Sequence, residues 1–261
     1  FIKIKHASVY KDGDGEEKLC VENGAKIPYE SVTVVPAVGN SPNAAVAAHR
    51  LGLMSALASN IGDDAYGKED LETLKKNGVD TQFITVHTGK PSNYHFVLWF
   101  HAERTILIKH TVYPYELPNL GKPKWIYLSS LGENSIEYHH EIARFLKNNP
   151  EIKLAFQPGT FQIKLGYETL KELYNVSELF FCNKEEARLI LNTTEDIPAK
   201  LAQMIREHGP KIAIITNGPD GAYAANGDAT WHIPMYPDPA PPVDRTGAGD
   251  AFASTVTSCM A

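Results

Sequence analysis

The sequence predicts an α/β protein with three layers (α/β/α), in which helices cover both faces of a mainly parallel sheet beside a small second β-sheet. Two observations predict the core: short apolar runs alternate with helix-like stretches from about residue 113 onward, and those runs are almost continuously apolar. Parallel strands that are buried on both faces have this pattern. The small sheet is predicted because two strand-like segments, at about 1–35 and 92–112, do not fit the alternation.

The N-terminal half begins with strand-like sequence and then changes to a helical period. Residues 1–5 alternate apolar and basic, and residues 18–39 resemble further short strands joined by loops. A helix is expected from Pro42 to Gly52, because proline favours the start of a helix and glycine its end. Further along we expect a buried strand at 53–62, an amphipathic helix at 68–78 and a hairpin at 94–110.

The C-terminal half repeats strand and helix units. Strands are expected at 124–130, 152–159, 178–183 and 211–218, and helices at 135–149, 164–174, 184–191 and 197–209. We expect one domain over 1–261, with its core at about 36–91 and 113–261 and the small sheet beside it as a lid. We expect this sequence to be a fragment of a longer protein, because both ends read as if cut.

Composition limits the classes of function. The chain is 43% hydrophobic and 21% charged, as in an ordinary globular protein, and its net charge of -6 argues against a nucleic-acid partner. No apolar run reaches the length of a membrane span, and no signal peptide is recognised. The three widely spaced cysteines predict no disulfide framework and no zinc site. A cytoplasmic protein is the expectation.

The stretch TGAGD, residues 246–250, has the chemistry of an anion site. Gly247 and Gly249 allow the backbone to approach a ligand closely, and Ala248 between them is small. The helix expected to follow begins with unpaired N–H groups and a positive dipole end, which together suit a phosphate. Asp250 then lies where it could accept a proton from an attacking hydroxyl. A carboxylate that merely favours the helix dipole is the alternative for Asp250.

Three further motifs contain polar residues at the starts of helices or in a turn. Gly39, Asn40 and Asn43 lie at the start of a helix, and Asn43 can donate and accept, which suits a polyol hydroxyl. Helix capping is the alternative, and it would involve Asn40 or Ser41 more readily than Asn43. The other two motifs follow strands, and each has a purely structural explanation. Asn183 and Glu186 fit a capping box. The glycine turn that contains Thr216, Gly218 and Gly221 is either an ordinary turn or a nucleotide contact.

With these motifs in order, the chain resembles the PfkB, or ribokinase-like, carbohydrate kinases. DRTGAGDAF, at 244–252, matches the C-terminal signature of that family, and GNSPNAAVAAHRLG with SNIGDDAYG matches its N-terminal signature less strictly. NKEE at 183–186 and TNGPDG at 216–221 lie where the family's Asn-x-x-Glu element and its Thr-x-Gly-x-x-Gly turn belong. Order and spacing agree over nearly the whole chain.

The resemblance implies an ATP-dependent kinase that phosphorylates a hydroxyl of a sugar, sugar derivative or nucleoside. It makes Asp250 the base and the amides of Gly247, Ala248, Gly249 and Asp250 the anion hole. The other implied roles are acceptor binding by Gly39, Asn40 and Asn43, nucleotide binding by Asn183, Glu186, Thr216, Gly218 and Gly221, and Mg²⁺ binding by Glu186 through water. A monovalent cation such as K⁺ is a further candidate cofactor.

This sequence departs from the family pattern at the acceptor motif. Many members have a lysine at the position of Asn40 and two glycines before it, and this difference puts ribose in doubt as the acceptor. An acid on the first core strand and the segments that wrap adenine have no counterpart here. The alternatives are a non-catalytic sugar or nucleotide sensor on the same fold and a Rossmann oxidoreductase, whose glycine motif would lie near the N-terminus. A homodimer through the small sheet is a further expectation.

Overall fold

The computed structural model describes residues 1–13, 15, 17–101, 103–237, 240 and 246–261. Its strands are β1 (Ile2–Ile4), β2 (Ser8–Lys11), β3 (Glu17–Cys20), β4 (Tyr29–Val32), β5 (Ser59–Gly62), β6 (Ile84–His87), β7 (Phe96–Phe100), β8 (Glu103–Leu107), β9 (Trp125–Leu128), β10 (Lys153–Phe156), β11 (Ser177–Asn183), β12 (Ile212–Thr216), β13 (Ala222–Ala225) and β14 (Thr230–Ile233). Its α-helices are α1 (Asn40–Arg50), α2 (Ala65–Lys76), α3 (Ile136–Asn148), α4 (Thr160–Leu165), α5 (Tyr167–Val176), α6 (Lys184–Leu191), α7 (Pro198–Glu207) and α8 (Ala248–Met260).

The largest sheet has six strands in the order β14–β13–β12–β11–β10–β9. Strands β9 to β12 run parallel, and β13 and β14 join antiparallel at one edge. Because the carboxyl ends of parallel strands meet at one edge of the sheet, the residues that follow β9, β10, β11 and β12 are brought together there.

Strand β11 shows how the sheet is covered on both faces. Phe180 and Cys182 belong to the cluster that α3, α5, α6 and α7 complete, whereas Leu179 and Phe181 belong to the cluster with Ala253 of α8. Alternate side chains of a strand point to opposite faces, so both faces of β11 must be apolar. Full burial of a side chain such as Phe180 contributes roughly 1.5–3 kcal/mol. The predicted three-layer core with a mainly parallel sheet is confirmed.

A separate sheet of four strands has the order β4–β1–β7–β8. Strands β1 and β7 run parallel to each other, while β4 and β8 pair antiparallel with β1 and β7 at the two edges. All four strands come from the two segments that did not fit the strand–helix alternation, so the small second sheet is confirmed. Its role as a lid and the domain boundaries stay predictions.

The structure differs from the expected elements in three places. The strand expected at 53–62 is reduced to β5, which pairs with β6 in a two-stranded parallel sheet, and Met54 is fully exposed. The helix expected at 164–174 is divided at Gly166, whose positive φ of 80° separates α4 from α5. Strands β6, β13 and β14, each 4 residues long, were not expected.

Candidate active site

The carboxylate of Asp250 lies where two helix N-termini meet. It is the third residue of α8, and it is half-buried. The side-chain amide of Asn40 donates to its Oδ1 at 3.0 Å, and that of Asn43 donates to its Oδ2 at 3.0 Å. Both asparagines belong to the first turn of α1, which packs against α8. The structure thus joins the predicted base to two predicted acceptor-binding residues from the other end of the sequence.

The helix-capping alternative does not hold for these asparagines. The N-cap of α1 is Gly39, with φ of 139°, and it makes no side-chain capping bond. The hydroxyl of Ser41 instead lies 2.5 Å from that of Ser129, just after β9. The amides of Asn40 and Asn43 therefore face the carboxylate of Asp250 rather than the end of their own helix.

The glycine turn presents backbone amides at the start of α8. Gly247 has a left-handed φ of 75°, and the first intrahelical bond of α8 runs from Ala251 N to Gly247 O at 2.8 Å. The amides of 248–250 therefore precede the first intrahelical donor. Among the described residues, a Cβ placed on Gly249 would meet only Gln157 Nε2, at 3.8 Å. Asp244 and Arg245 of the signature lie outside the described residues.

Two residues of the site were missed by sequence reasoning. Gln157 follows β10 and directs its Nε2 to Asp250 Oδ1 at 3.4 Å, and the hydroxyl of Tyr127 in β9 donates to Gln157 Oε1. Burial, followed by the nearby Asp250 carboxylate, raises the pKa of Tyr127 above its usual range. A polar residue directly after an apolar strand was the available signal for Gln157, since strand ends carry functional residues in parallel sheets.

Asn183 and Glu186 form the capping box that was the alternative to a nucleotide role. Asn183 Oδ1 accepts from Glu186 N at 2.8 Å, and Glu186 Oε2 accepts from Asn183 N at 2.9 Å. Burial raises the pKa of Glu186, and the charges of Glu185 and Asp250 add to that effect. The capping box uses one oxygen of each side chain, so it explains the local structure without excluding a second role.

The turn after β12 lies beside the capping box. Thr216 is the partner of Asn183 in the parallel pairing of β11 with β12. Gly221 has φ of 91°, and a Cβ there would come within 2.1 Å of Ile233 O, so packing alone requires this glycine. Gly218 has φ of 54° and open space around it, so its surroundings leave room for a ligand.

A large open cleft leads to the carboxylate. Its volume is about 2630 Å³, and its lining includes Asp250, Gly247 and the predicted acceptor-binding residues Gly39, Asn40 and Asn43. From the small sheet and the segment after it, Trp99 and His110 also line the cleft, whereas His101 and Arg104 are not part of the lining. The lining does not include Asn183, Glu186 and Thr216, which were predicted to bind the nucleotide.

The described residues contain no group of three or more His, Cys, Asp or Glu side chains that could hold a metal ion by themselves. In the same part of the chain, no helix has the length and apolar character needed to cross a membrane.

Comparison with known proteins gives a family. The sequence profile described as "pfkB family carbohydrate kinase" matches residues 17–261. The chain is 24% identical over 241 residues to a fructokinase of Klebsiella pneumoniae, and the alignment covers 85% of this chain and 76% of the fructokinase. It is 23% identical over 239 residues to a ribokinase of Mus musculus, and the alignment covers 85% of this chain and 71% of the ribokinase.

Solved structures have the same fold. A ribokinase of Cryptococcus neoformans var. grubii in complex with ADP has a TM-score of 0.72 at 22% identity, covering 92% of this chain and 80% of its own. An E. coli protein of the ribokinase type, solved with ATP and Mg²⁺, has a TM-score of 0.67 at 17% identity and covers 99% and 82%. These TM-scores establish the fold, and the profile match over nearly the whole sequence establishes the family. The chain belongs to the pfkB family and is a carbohydrate kinase.

Proposed function

We propose that the protein transfers the γ-phosphate of ATP to a hydroxyl of a sugar, sugar derivative or nucleoside, with Asp250 as the base. The observation that carries this proposal is the position of Asp250. Its carboxylate lies in the first turn of α8, beside amides without intrahelical partners, and it also lines the open cleft. A phosphate on those amides and a hydroxyl in the cleft would meet at this carboxylate.

The hydrogen bonds of Asp250 indicate which oxygen takes the proton. Oδ1 accepts from Asn40 at 3.0 Å and from Gln157 at 3.4 Å, whereas Oδ2 accepts only from Asn43 among the described residues. An ionised carboxylate has about four lone-pair sites, two on each oxygen. The open site on Oδ2 is therefore the proposed proton acceptor.

The proposed transfer is a single displacement at phosphorus. The acceptor hydroxyl gives its proton to Oδ2 of Asp250 while its oxygen forms a bond to the γ-phosphorus. The bond from the γ-phosphorus to the bridging oxygen breaks, and ADP leaves with that electron pair. The amides of 247–250 stabilise the charge on the transferred group, because helix N-termini favour anions.

The nucleotide is proposed to lie over the ends of β11 and β12. Thr216, Gly218 and Gly221 would line it, while Asn183 and Glu186 would organise its phosphates. This placement is supported by the register that makes Asn183 and Thr216 neighbours and by the influence of the Asp250 charge on Glu186. The E. coli neighbour solved with ATP and Mg²⁺ supports the same co-substrate and ion here.

The residues present fit Mg²⁺ held mainly by phosphates and water. Mg²⁺ commonly keeps several waters and uses one or two carboxylates, so the lack of a three-ligand cage among the described residues is no obstacle. Glu186, which is half-buried at the start of α6, is the carboxylate proposed to hold the ion through water. Mg²⁺ would neutralise charge on the phosphates. A monovalent cation such as K⁺ remains part of the proposal without an assigned site.

The small sheet is proposed to act as a lid and to mediate a homodimer. Its edge strands β4 and β8 carry exposed apolar side chains, among them Val32, Ile106 and Leu107. Exposed edges and apolar patches are often covered by a second copy. Sedimentation of the purified protein measures this, and a monomer at all concentrations would remove the dimer from the proposal. A cytoplasmic location also stays a prediction.

The test is an activity screen of the complete protein with ATP, Mg²⁺ and a panel of sugars, sugar acids and nucleosides. For the best acceptor, Asp250→Asn should lower kcat by roughly 100- to 10,000-fold while nucleotide affinity is retained, as expected for a lost general base. Asp228→Asn, an exposed substitution in the β13–β14 turn, is the matched control and should leave kcat unchanged. Turnover close to wild type in Asp250→Asn would rule out the base assignment.

A further inference from the structure

We propose that Gln157 and Tyr127 are a positioning pair for the base: Tyr127 fixes the orientation of the Gln157 amide, and Gln157 holds Oδ1 of Asp250. The inference rests on the proposed function of Asp250. It adds two residues that act on the carboxylate from the main sheet, whereas the asparagines act on it from α1.

Both residues are anchored by the main sheet. Tyr127 lies within β9, and Gln157 directly follows β10, the parallel neighbour of β9. The backbone amide of Gln157 donates to Leu128 O at 2.9 Å, which continues the pairing of the two strands by one residue. The position of Gln157 is thus set by the sheet rather than by a mobile loop, and positioning groups act best from rigid elements.

The hydroxyl of Tyr127 decides which end of the Gln157 amide faces Asp250. Tyr127 donates to Oε1 of Gln157, which leaves the Nε2 group directed at Asp250 Oδ1. The reverse orientation would place the amide oxygen against a carboxylate oxygen, and two acceptors repel. Burial keeps Tyr127 protonated, because it raises the pKa of the phenol and the Asp250 charge raises it further. A protonated phenol is the state that donates.

Gln157 differs from the two asparagines in its access to the cleft. Asn40 and Asn43 line the cleft and can contact an acceptor, and Tyr127 lines it too, but Gln157 is not among the lining residues. Its described side-chain partners are Asp250 and Tyr127. Gln157 therefore limits rotation of the carboxylate and leaves acceptor binding to other residues, while its Nε2 lies 3.8 Å from the position of a Cβ on Gly249, beside the proposed anion site. A lost Gln157 amide should therefore lower kcat and leave KM nearly unchanged.

The test uses the complete protein, ATP and the best acceptor of the panel. Gln157→Ala should lower kcat roughly ten- to a hundredfold, since hydrogen bonds to charged groups are among the stronger ones. KM for ATP and for the acceptor should change less than about threefold. Gln203→Ala is the matched control, because Gln203 also pairs its amide with a hydroxyl, that of Thr230, but on the exposed face of α7. It should keep normal kcat.

Tyr127 is tested by a double-mutant cycle. As a single variant, Tyr127→Phe should lower kcat by about three- to tenfold. In the Gln157→Ala background it should have no further effect, because the effects of residues that act through one contact are not additive. Equal effects in both backgrounds would show that Tyr127 contacts substrate directly, and the pair would be rejected. Tyr223→Phe controls for the loss of a tyrosine hydroxyl, because Tyr223 is stacked on His232 in the outer part of the sheet.

Gln157→Glu provides a second variant if the alanine variant does not fold. It has nearly the same shape and can still accept from Tyr127, but it cannot donate to Asp250, so kcat should fall at least as far. A raised acceptor KM with normal kcat in either variant would make Gln157 a substrate contact and overturn the inference. If Asp250→Asn is inactive while Gln157→Ala and Gln157→Glu are normal, this inference fails and the proposed function stands. If Asp250→Asn is active, the proposed function fails.

Discussion

Acidification should destabilise the fold through His139, a fully buried histidine of α3. Its side chain is 1% exposed, and burial lowers its pKa from 6.5 to about 4. Within this net shift of the pKa, the backbone contact with Ser135 opposes the effect of burial, and the nearby charge of His140 adds to it. The Gln162 side chain explains why the charged form is disfavoured. Gln162 Oε1 accepts from Gly159 N at 2.7 Å, so its Nε2 faces His139 Nε2, which must then accept.

The sign and size of the effect follow from linkage. The unfolded chain binds a proton at His139 near pH 6.5 and the folded chain only near pH 4, so the unfolded state holds more protons between these values. Stability therefore falls as pH drops through that window and is fully present above it. The separation between 6.5 and about 4 corresponds to about 3 kcal/mol at full protonation. That is a large share of the stability of an ordinary domain.

The assay is denaturant unfolding of the wild type and of His139→Gln between about pH 7 and pH 4.5. Glutamine cannot titrate, so the variant should lose less stability on acidification by about 2 kcal/mol or more. His140→Gln, on the more exposed side of the same helix, is the control and should follow the wild type. Parallel stability curves for the wild type and His139→Gln would refute the reasoning.

Two glycine substitutions test the other structural assignments. Gly249→Val should abolish phosphate transfer while acceptor binding is largely kept, because its β-branched side chain would take the place of the anion. A crystal with sulfate or phosphate should show the anion against the amides of 247–250. If Gly249 serves only the helix, the free energy of unfolding should change by roughly 1 kcal/mol or less and phosphate transfer should persist. Gly221→Ala should lower stability by roughly 2 kcal/mol or more, since its Cβ would lie 2.1 Å from Ile233 O. Gly218→Ala is the control, because Gly218 also has a positive φ but a Cβ there meets no described atom within 4 Å, so this variant should show the backbone strain without the clash and lose less stability. Equal melting temperatures for the two variants would contradict this account.

The sequence by itself determined the fold class and the kind of chemistry. Continuous apolar runs such as 179–182 are visible locally, because a strand buried on both faces needs apolar side chains at successive positions. The TGAGD run was equally readable, since a glycine turn followed by an acid at a helix start is a local feature. A local signal that was overlooked is Asn226-Gly227, a frequent hairpin turn, which joins β13 to β14.

Only the tertiary structure decided which side chains meet Asp250. Asn40 and Asn43 contact it across 210 and 207 residues, and Gln157 across 93. Sequence period predicts which face of an element is buried but not which distant element packs against it. The packing of α1 on α8 and the parallel order of β9 and β10 set these contacts. The capping alternative for Asn40 and the identity of Gln157 as a partner of the base could be decided only once those elements were placed in space.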